Sequence, residues 1–384
     1  MRKRLAGVLL LALVLSVYSA LHFEKQGQEI PYVGYDESVY FSLSRHILDT
    51  SPFNYTLRGA PLYFNDHRAW YIERPIFHHP PLFTWLLSFA HLVFGSRLLV
   101  GRFLNVAFGV LTIYVTYKMA LQVSGDSGVA IASSFFLAIS SLHVLLSSLV
   151  LMDGLLTLLV SLFVLSTIQL SENGTREKAI KAGLFMGLAL LTKYSAILAF
   201  PILVIYVVAR RISLPHLLIT LGVAFVMNSW WLLWNLRVYS TSFITSYGEF
   251  WRYPNVVVPT HAYLYFIPVV APAALLGYIG IIKSIKDKEI NSVGLSSMVL
   301  TYLVFFTLLP LKEMRFVLPM LPMLIILGCQ WLYKIPGRKR KILTAILALI
   351  SFISTNALVK GGYYWYLPLW HLQDWQQEFL TSII

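Results

Sequence analysis

Apolar runs separated by short polar breaks fill most of the chain. They cover residues 5–21, 80–95, 98–121, 128–149, 154–170, 180–192, 195–209, 215–236, 262–282, 292–310, 316–333 and 342–359. Most have the roughly 17–25 residues that an α-helix needs to cross a bilayer, whereas a barrel would show alternating segments of about ten. The pattern predicts an all-α polytopic membrane protein. Residues 23–78 form the longest polar stretch, with seven acids, five basic residues and many aromatics. So long a segment without structure of its own is uncommon, and short amphipathic helices lying at the interface are expected there.

Composition agrees. Hydrophobic residues make up 58% of the 384 and charged residues 12%, half of the roughly 25% typical of soluble domains. The single cysteine, Cys329, excludes a disulfide framework and a Cys-based metal site. The net charge of +13 would suggest nucleic acid in a soluble protein. Here the basic residues sit in the breaks between apolar runs, so topology explains them and no nucleic-acid partner is expected.

Charge and parity set the expected topology. The run 5–21 follows Arg2-Lys3-Arg4 and reads as a retained first helix with a cytoplasmic N-terminus. Cleavage after Ala20 would place Tyr18 where a signal peptidase needs a small residue. If the first loop is outside and the basic 172–181 loop inside, one of the four intervening runs does not cross. The shortest, 80–95, opens on Pro80-Pro81 and is assigned as interfacial or re-entrant. About 11 transmembrane helices remain, in one domain over residues 1–384 with an outside C-terminus. Outer loops are expected at 23–97 and 237–261. Inside segments then hold 17 Lys and Arg against 5 acids, and outside segments 13 against 12.

Chemistry-bearing residues gather at the outer face of this topology. Asp36-Glu37 lies among Tyr32, Tyr35 and Tyr40. Two adjacent carboxylates can supply a base and a positioning group, or hold a divalent cation such as Mg, Mn or Zn. His78-His79-Pro80-Pro81 reads as a helix start carrying interfacial histidines. Asp153 is a lone acid between apolar residues, and Arg102 falls near the start of a span. Ionisable groups in such places are costly and point to function. Lys193, Arg237, Glu249, Arg252, Lys312, Glu313 and Arg315 also fall outside, where cations could clamp a lipid phosphate. There is no P-loop, no GxSxG and no HExxH. A secondary transporter is the rival reading. It predicts inverted repeats and broken spans with midplane charges, whereas the acids here collect in one outer loop.

The order of these features resembles the membrane-embedded GT-C glycosyltransferases, specifically the protein O-mannosyltransferase and lipid A aminoarabinose transferase group. The resemblance runs through Tyr35-Asp36-Glu37-Ser38-Val39-Tyr40, His79-Pro80-Pro81-Leu82 with Trp85, Phe94-Gly95 and Gly101-Arg102-Phe103. It continues through Leu151-Met152-Asp153, Leu191-Thr192-Lys193, and Arg315-Phe316-Val317-Leu318-Pro319. It implies a polyprenyl-phosphate sugar donor, such as dolichyl phosphate mannose for a mannosyltransferase, used on the extracytoplasmic face. The acceptor would be a hydroxyl of a protein, glycan or lipid. Asp36 is implied as catalytic base with Glu37 beside it, Asp153 as the second acid, and His79 and Arg102 as recurrent positions near the donor phosphate. Lys193 and Arg315 join them as candidate phosphate ligands, and Tyr35, Tyr40, Glu249 and Arg252 as an acceptor-side group. Single displacement at the anomeric carbon would invert it.

Overall fold

In a computed structural model of the chain, the described residues are 2–26, 35–55, 79–241, 262–309 and 313–361. Among them every regular element is helical. The order is α1 Arg2–Gln26, α2 Tyr35–Asp49, α3 Leu82–Phe94, α4 Leu98–Ser124, α5 Ser127–Ala138, α6 Ser141–Leu146, α7 Met152–Glu172 and α8 Arg176–Leu190. A 3-10 turn at Tyr194–Ala199 leads to α9 Pro201–Val208 and α10 Leu214–Tyr239. Then come α11 Ala262–Val270, α12 Ala274–Asp287, α13 Ile290–Leu308, a 3-10 segment Met314–Met320, α14 Leu321–Tyr333 and α15 Gly337–Gly361.

The helix ends follow local chemistry. The Asp126 carboxylate accepts from the Gly128 amide at 2.6 Å and caps α5, and Thr175 caps α8 through the Lys178 amide. Proline opens α9, α10 and α14, where its missing N–H is no loss. Gly125, at φ +66°, closes α4 with a left-handed cap.

Seven described segments are long and apolar enough to cross a membrane: Arg2–Phe23, Leu98–Ser124, Met152–Glu172, Leu214–Val238, Ile290–Leu308, Met314–Tyr333 and Gly337–Ala357. The chain is an integral membrane protein, and the expected figure of 11 spans is not reached by these long helices alone. Burial sorts them into layers. The apolar window of α7 is 83% buried and that of the segment leading into α14 is 78% buried. Those of α1, α10 and α15 are 28%, 22% and 17% buried, their outer faces carrying residues such as Phe225, Leu349 and Ile353. In lipid an apolar face needs no protein cover, so exposure here marks the bilayer side. At about 20 Å, the 13-residue α3 is too short to cross a ~30 Å core.

Two expected continuous spans are broken. The run 128–149 divides into α5 and α6 at Ile139-Ser140, and residues 139–152 are all buried. Backbone groups freed at membrane depth need partners, and side chains from distant elements supply them. Asn105 donates to the Leu149 carbonyl at 2.7 Å and Thr355 to that of Ile139 at 3.0 Å. The 262–282 run divides into α11 and α12 around Ala271-Pro272. There Ser141 donates to the Val270 carbonyl at 2.7 Å.

The two ends of the bundle differ in charge. One carries the ends of α4, α7, α12 and α14 and the starts of α1, α8 and α15. There Lys334 pairs with Asp287 at 3.1 Å, Lys178 reaches the Gln169 carbonyl, and Arg340 lies over Tyr333. At the opposite end the starts of α2, α4 and α7 meet the end of α8 and the 3-10 segment before α14.

Close backbone approach holds α12 against α14. A Cβ on Gly277 or Gly280 would fall on the carbonyl oxygen of Leu324 or Leu327, and one on Gly328 would lie 2.8 Å from the Gly277 nitrogen. Small residues of this kind let helices pack tightly in lipid, where burial gives little drive. Gly277→Leu is expected to destabilise the purified protein by about 3 kcal/mol. Gly222→Leu, which adds atoms to open space on α10, should be close to neutral. Thermal unfolding in detergent reads both.

Candidate active site

Three carboxylate–cation pairs meet at the end of the bundle opposite the basic clusters. The first ties α2 to α4. Glu37 lies in the first turn of α2 and Arg102 in the second turn of α4. Arg102 Nε and Nη2 donate to the two Glu37 oxygens at 3.2 and 3.3 Å, and the Val150 amide donates to Oε1 at 2.7 Å. Arg102 is fully buried and Glu37 is 2% exposed. A bidentate guanidinium–carboxylate pair is strong and geometrically specific. Here it fastens three elements: α2, α4 and the turn before α7.

The second pair is Asp153 with Lys193. Asp153 lies in the first turn of α7, where the helix dipole favours an anion. Lys193 follows α8 in extended backbone and donates to Asp153 Oδ1 at 2.8 Å. Asp153 is 1% exposed, and its Oδ2 has no hydrogen-bond partner among the described residues. The buried Tyr302 ring stands near, its hydroxyl donating to the Ser195 carbonyl at 3.2 Å.

The third pair is Asp36 with Arg315, joining α2 to the 3-10 segment before α14. Arg315 also pairs with Glu313. Phe316 links the second and third pairs, with Lys193 Nζ 5.1 Å and Arg315 Cζ 5.8 Å from its ring centroid. These two cations keep 17% and 12% of their side-chain surface exposed. They can meet a ligand that Arg102, sealed against Glu37, cannot.

The candidate residues separate accordingly. Asp36, Asp153, Lys193 and Arg315 come together. His79 joins at the edge, its Nδ1 a long 3.5 Å from the Tyr40 hydroxyl with the rings edge-on. Tyr40 is buried. Arg102, expected at a donor phosphate, is instead committed to Glu37. Asp36 and Glu37 were expected to share a base-and-neighbour or metal-holding role. They engage different guanidinium groups, because consecutive helical residues project about 100° apart. They present no two-carboxylate ligand set, and no cluster of three or more His, Cys, Asp or Glu fit for a metal occurs among the described residues. Tyr35 opens α2, and Glu249 and Arg252 lie outside the described residues.

One contributor was not singled out from sequence, and the role of another was not readable there. Val150 acts through its amide, which leaves no residue-type signal. Glu313 was visible as an outer-face acid, but its sharing of Arg315 with Asp36 required the fold.

An aromatic group lies beside the pairs. Trp85 stacks on Trp230 at 5.3 Å and Trp231 on Trp234 at 5.0 Å. Trp231 also donates to the Tyr194 hydroxyl at 2.7 Å. It packs α2, α3 and the end of α8 against the last turns of α10.

The solved structure of ArnT from Cupriavidus metallidurans bound to undecaprenyl phosphate superposes with a TM-score of 0.70 at 19% identity, over 90% of this chain and 63% of that one. The Archaeoglobus fulgidus oligosaccharyltransferase in complex with Zn and sulfate gives 0.58 at 15% identity, over 92% and 53%. In sequence, residues 78–234 match the family described as dolichyl-phosphate-mannose-protein mannosyltransferase. A curated relative, dolichyl-phosphooligosaccharide-protein glycotransferase 1 of Archaeoglobus fulgidus, is 32% identical over 211 residues, 51% of this chain. The chain spans 33% of that relative's length. In fold the chain is similar to these two membrane proteins, and in sequence its residues 78–234 are similar to the mannosyltransferase family.

The sealed pair predicts a stability defect. Arg102→Ala leaves the Glu37 charge buried without its partner and should cost about 3–5 kcal/mol. Adding Glu37→Gln to Arg102→Met keeps the acceptor for the Val150 amide while removing the stranded charge. It should recover part of that loss in a double-mutant cycle read by thermal unfolding.

Proposed function

We propose that the protein is an integral-membrane glycosyltransferase that moves a sugar from a polyprenyl-phosphate donor to an acceptor hydroxyl, with inversion. The single observation that carries this reading is Asp36 held against Arg315, with Lys193 and Asp153 beside them. A carboxylate and two partly exposed cations side by side are what the reaction needs.

The chemistry follows from those groups. The acceptor oxygen attacks the anomeric carbon as its proton passes to Asp36. The bond from that carbon to the phosphate oxygen breaks, and the lipid phosphate leaves with the electron pair. That leaving group is a weak base, so no general acid is required. It gains negative charge, which Arg315 and Lys193 are placed to stabilise. Asp153 orients Lys193 through Oδ1. His79 stands at the rim on Tyr40. Arg102 and Glu37 act as positioning residues, fixing the start of α2 and so the direction of Asp36.

The likeness to a protein solved with undecaprenyl phosphate supports the choice of donor class. The family match, described by a dolichyl-phosphate-mannose reaction, supports a mannosyl donor as the first to try. The separation of basic clusters from the candidate site supports a cytoplasmic basic end and an extracytoplasmic site.

Membranes carrying the protein should release sugar from radiolabelled polyprenyl-phosphate mannose into an acceptor fraction. Asp36→Asn should lower that turnover about a thousandfold without loss of folded protein; near-normal turnover would remove Asp36 from the role of base. Sidedness is separately accessible because Cys329 is buried and gives no background. A membrane-impermeant maleimide added to intact cells should label Ser96→Cys, in the exposed turn between α3 and α4. It should leave Arg338→Cys unlabelled, and the opposite pattern inverts the orientation.

A further inference from the structure

Resting on that reading, we propose that Glu313 is a specificity-determining residue that competes with the lipid phosphate for Arg315, so that the spent lipid monophosphate is let go. Three observations carry this. Arg315 is shared between two carboxylates, Asp36 and Glu313. Glu313 is held from the other side by a single hydroxyl: Tyr263 donates to the Glu313 carbonyl at 2.9 Å and accepts from its amide at 2.8 Å. Tyr263 itself is buried on α11, so the acid is fixed by a distant element rather than left to drift. Finally, among the described residues this linked group sets three carboxylates, Asp36, Asp153 and Glu313, against two cations, Lys193 and Arg315.

The balance matters because donor and product differ in charge. A lipid phosphodiester to sugar carries one negative charge. After transfer the lipid holds a phosphomonoester, whose second ionisation near pH 6 takes it toward two. Cations arranged only for attraction would hold the product more tightly than the donor and stall turnover. A fixed carboxylate on the same guanidinium opposes the more charged species most. Burial pushes the Glu313 carboxyl up from its ordinary range and the Arg315 charge draws it back, so its negative charge depends on the guanidinium for which the phosphate competes. Asp36 is the partner the phosphate displaces first in each cycle, which frees it for the acceptor. Glu313, clamped by Tyr263, stays and reclaims Arg315 as the product leaves.

The test uses undecaprenyl phosphate as probe, with the full-length protein purified in detergent and binding followed by ligand-induced thermal shift over a concentration series. Glu313→Gln should bind the probe about tenfold more tightly, the size expected when one charge-assisted contact to Arg315 is removed. Glu313→Asp, which keeps the charge, should stay near wild type. Arg315→Ala should weaken binding. Tyr263→Phe frees the backbone of residue 313 and should tighten binding in the same direction by less, which keeps the proposal open to test if Glu313→Gln folds poorly. Unchanged or weaker binding by Glu313→Gln or Tyr263→Phe overturns the competition and leaves Glu313 as a mere support for Arg315. Failure of the wild-type protein to bind the probe would count against the donor class itself, and this proposal would fall with it.

Discussion

An ion at the edge of a hydrocarbon core must find a counter-ion or leave. That constraint shapes this protein more than any packing preference. Moving a carboxylate or guanidinium out of water costs several kcal/mol unless geometry and hydrogen bonds return it. The three pairs meet the requirement with partners from different elements: Glu37 on α2 with Arg102 on α4, Asp153 on α7 with Lys193 after α8, and Asp36 on α2 with Arg315 before α14. Each pair fastens two helix ends that hydrophobic contact alone would let slide in the bilayer. The cost of burying charge and the fixing of the site are therefore one fact.

The pairs are not equivalent, and burial separates them. Arg102 is sealed and Glu37 nearly so, with the Val150 amide taking another lone pair of the carboxylate. Such a group cannot meet a substrate without unmaking the fold. Lys193 and Arg315 keep part of their surface open and lie 5.1 and 5.8 Å from the Phe316 ring centroid. They can exchange a carboxylate for a phosphate at modest cost. Adjacent residues, Asp36 and Glu37, thus engage different guanidinium groups, one partly open and one sealed, because the helical turn points them apart.

Much of this was legible in the sequence, and the remainder was hidden for physical reasons. Hydropathy gave the long helices, the pair Asp36-Glu37 stood out among tyrosines in the long polar stretch, and the lone acid Asp153 stood out because charge is rare in apolar surroundings. Pairing was not readable: Asp36 and Arg315 are 279 residues apart, and no local pattern encodes which cation closes on which acid. Arg102 carried the same outer-end signal as Arg315, although one proves sealed and the other partly open. The break at Ile139-Ser140 escaped notice because residues 136–151 carry no charge, glycine or proline. Its trace is the serine pairs Ser140-Ser141 and Ser147-Ser148; the hydroxyls of Ser140, Ser141 and Ser148 bond backbone carbonyls within and across elements.

That break and the acid that follows it form one device. A carboxylate is easier to bury at a helix N-terminus, where unsatisfied amides and the dipole favour negative charge. A helix running unbroken through the bundle offers such an end only at the membrane surface. Interrupting the chain at 139–151 lets α7 begin among other helices, so that Asp153 can be 1% exposed and still lie in a first turn. The interruption exposes backbone carbonyls at depth, and Asn105 and Thr355 satisfy carbonyls there from α4 and α15. The Val150 amide, freed by the same turn, is the group that binds Glu37. Irregular backbone is thus what allows two of the three carboxylates to be buried, and it is tolerated because helices on either side complete its hydrogen bonds.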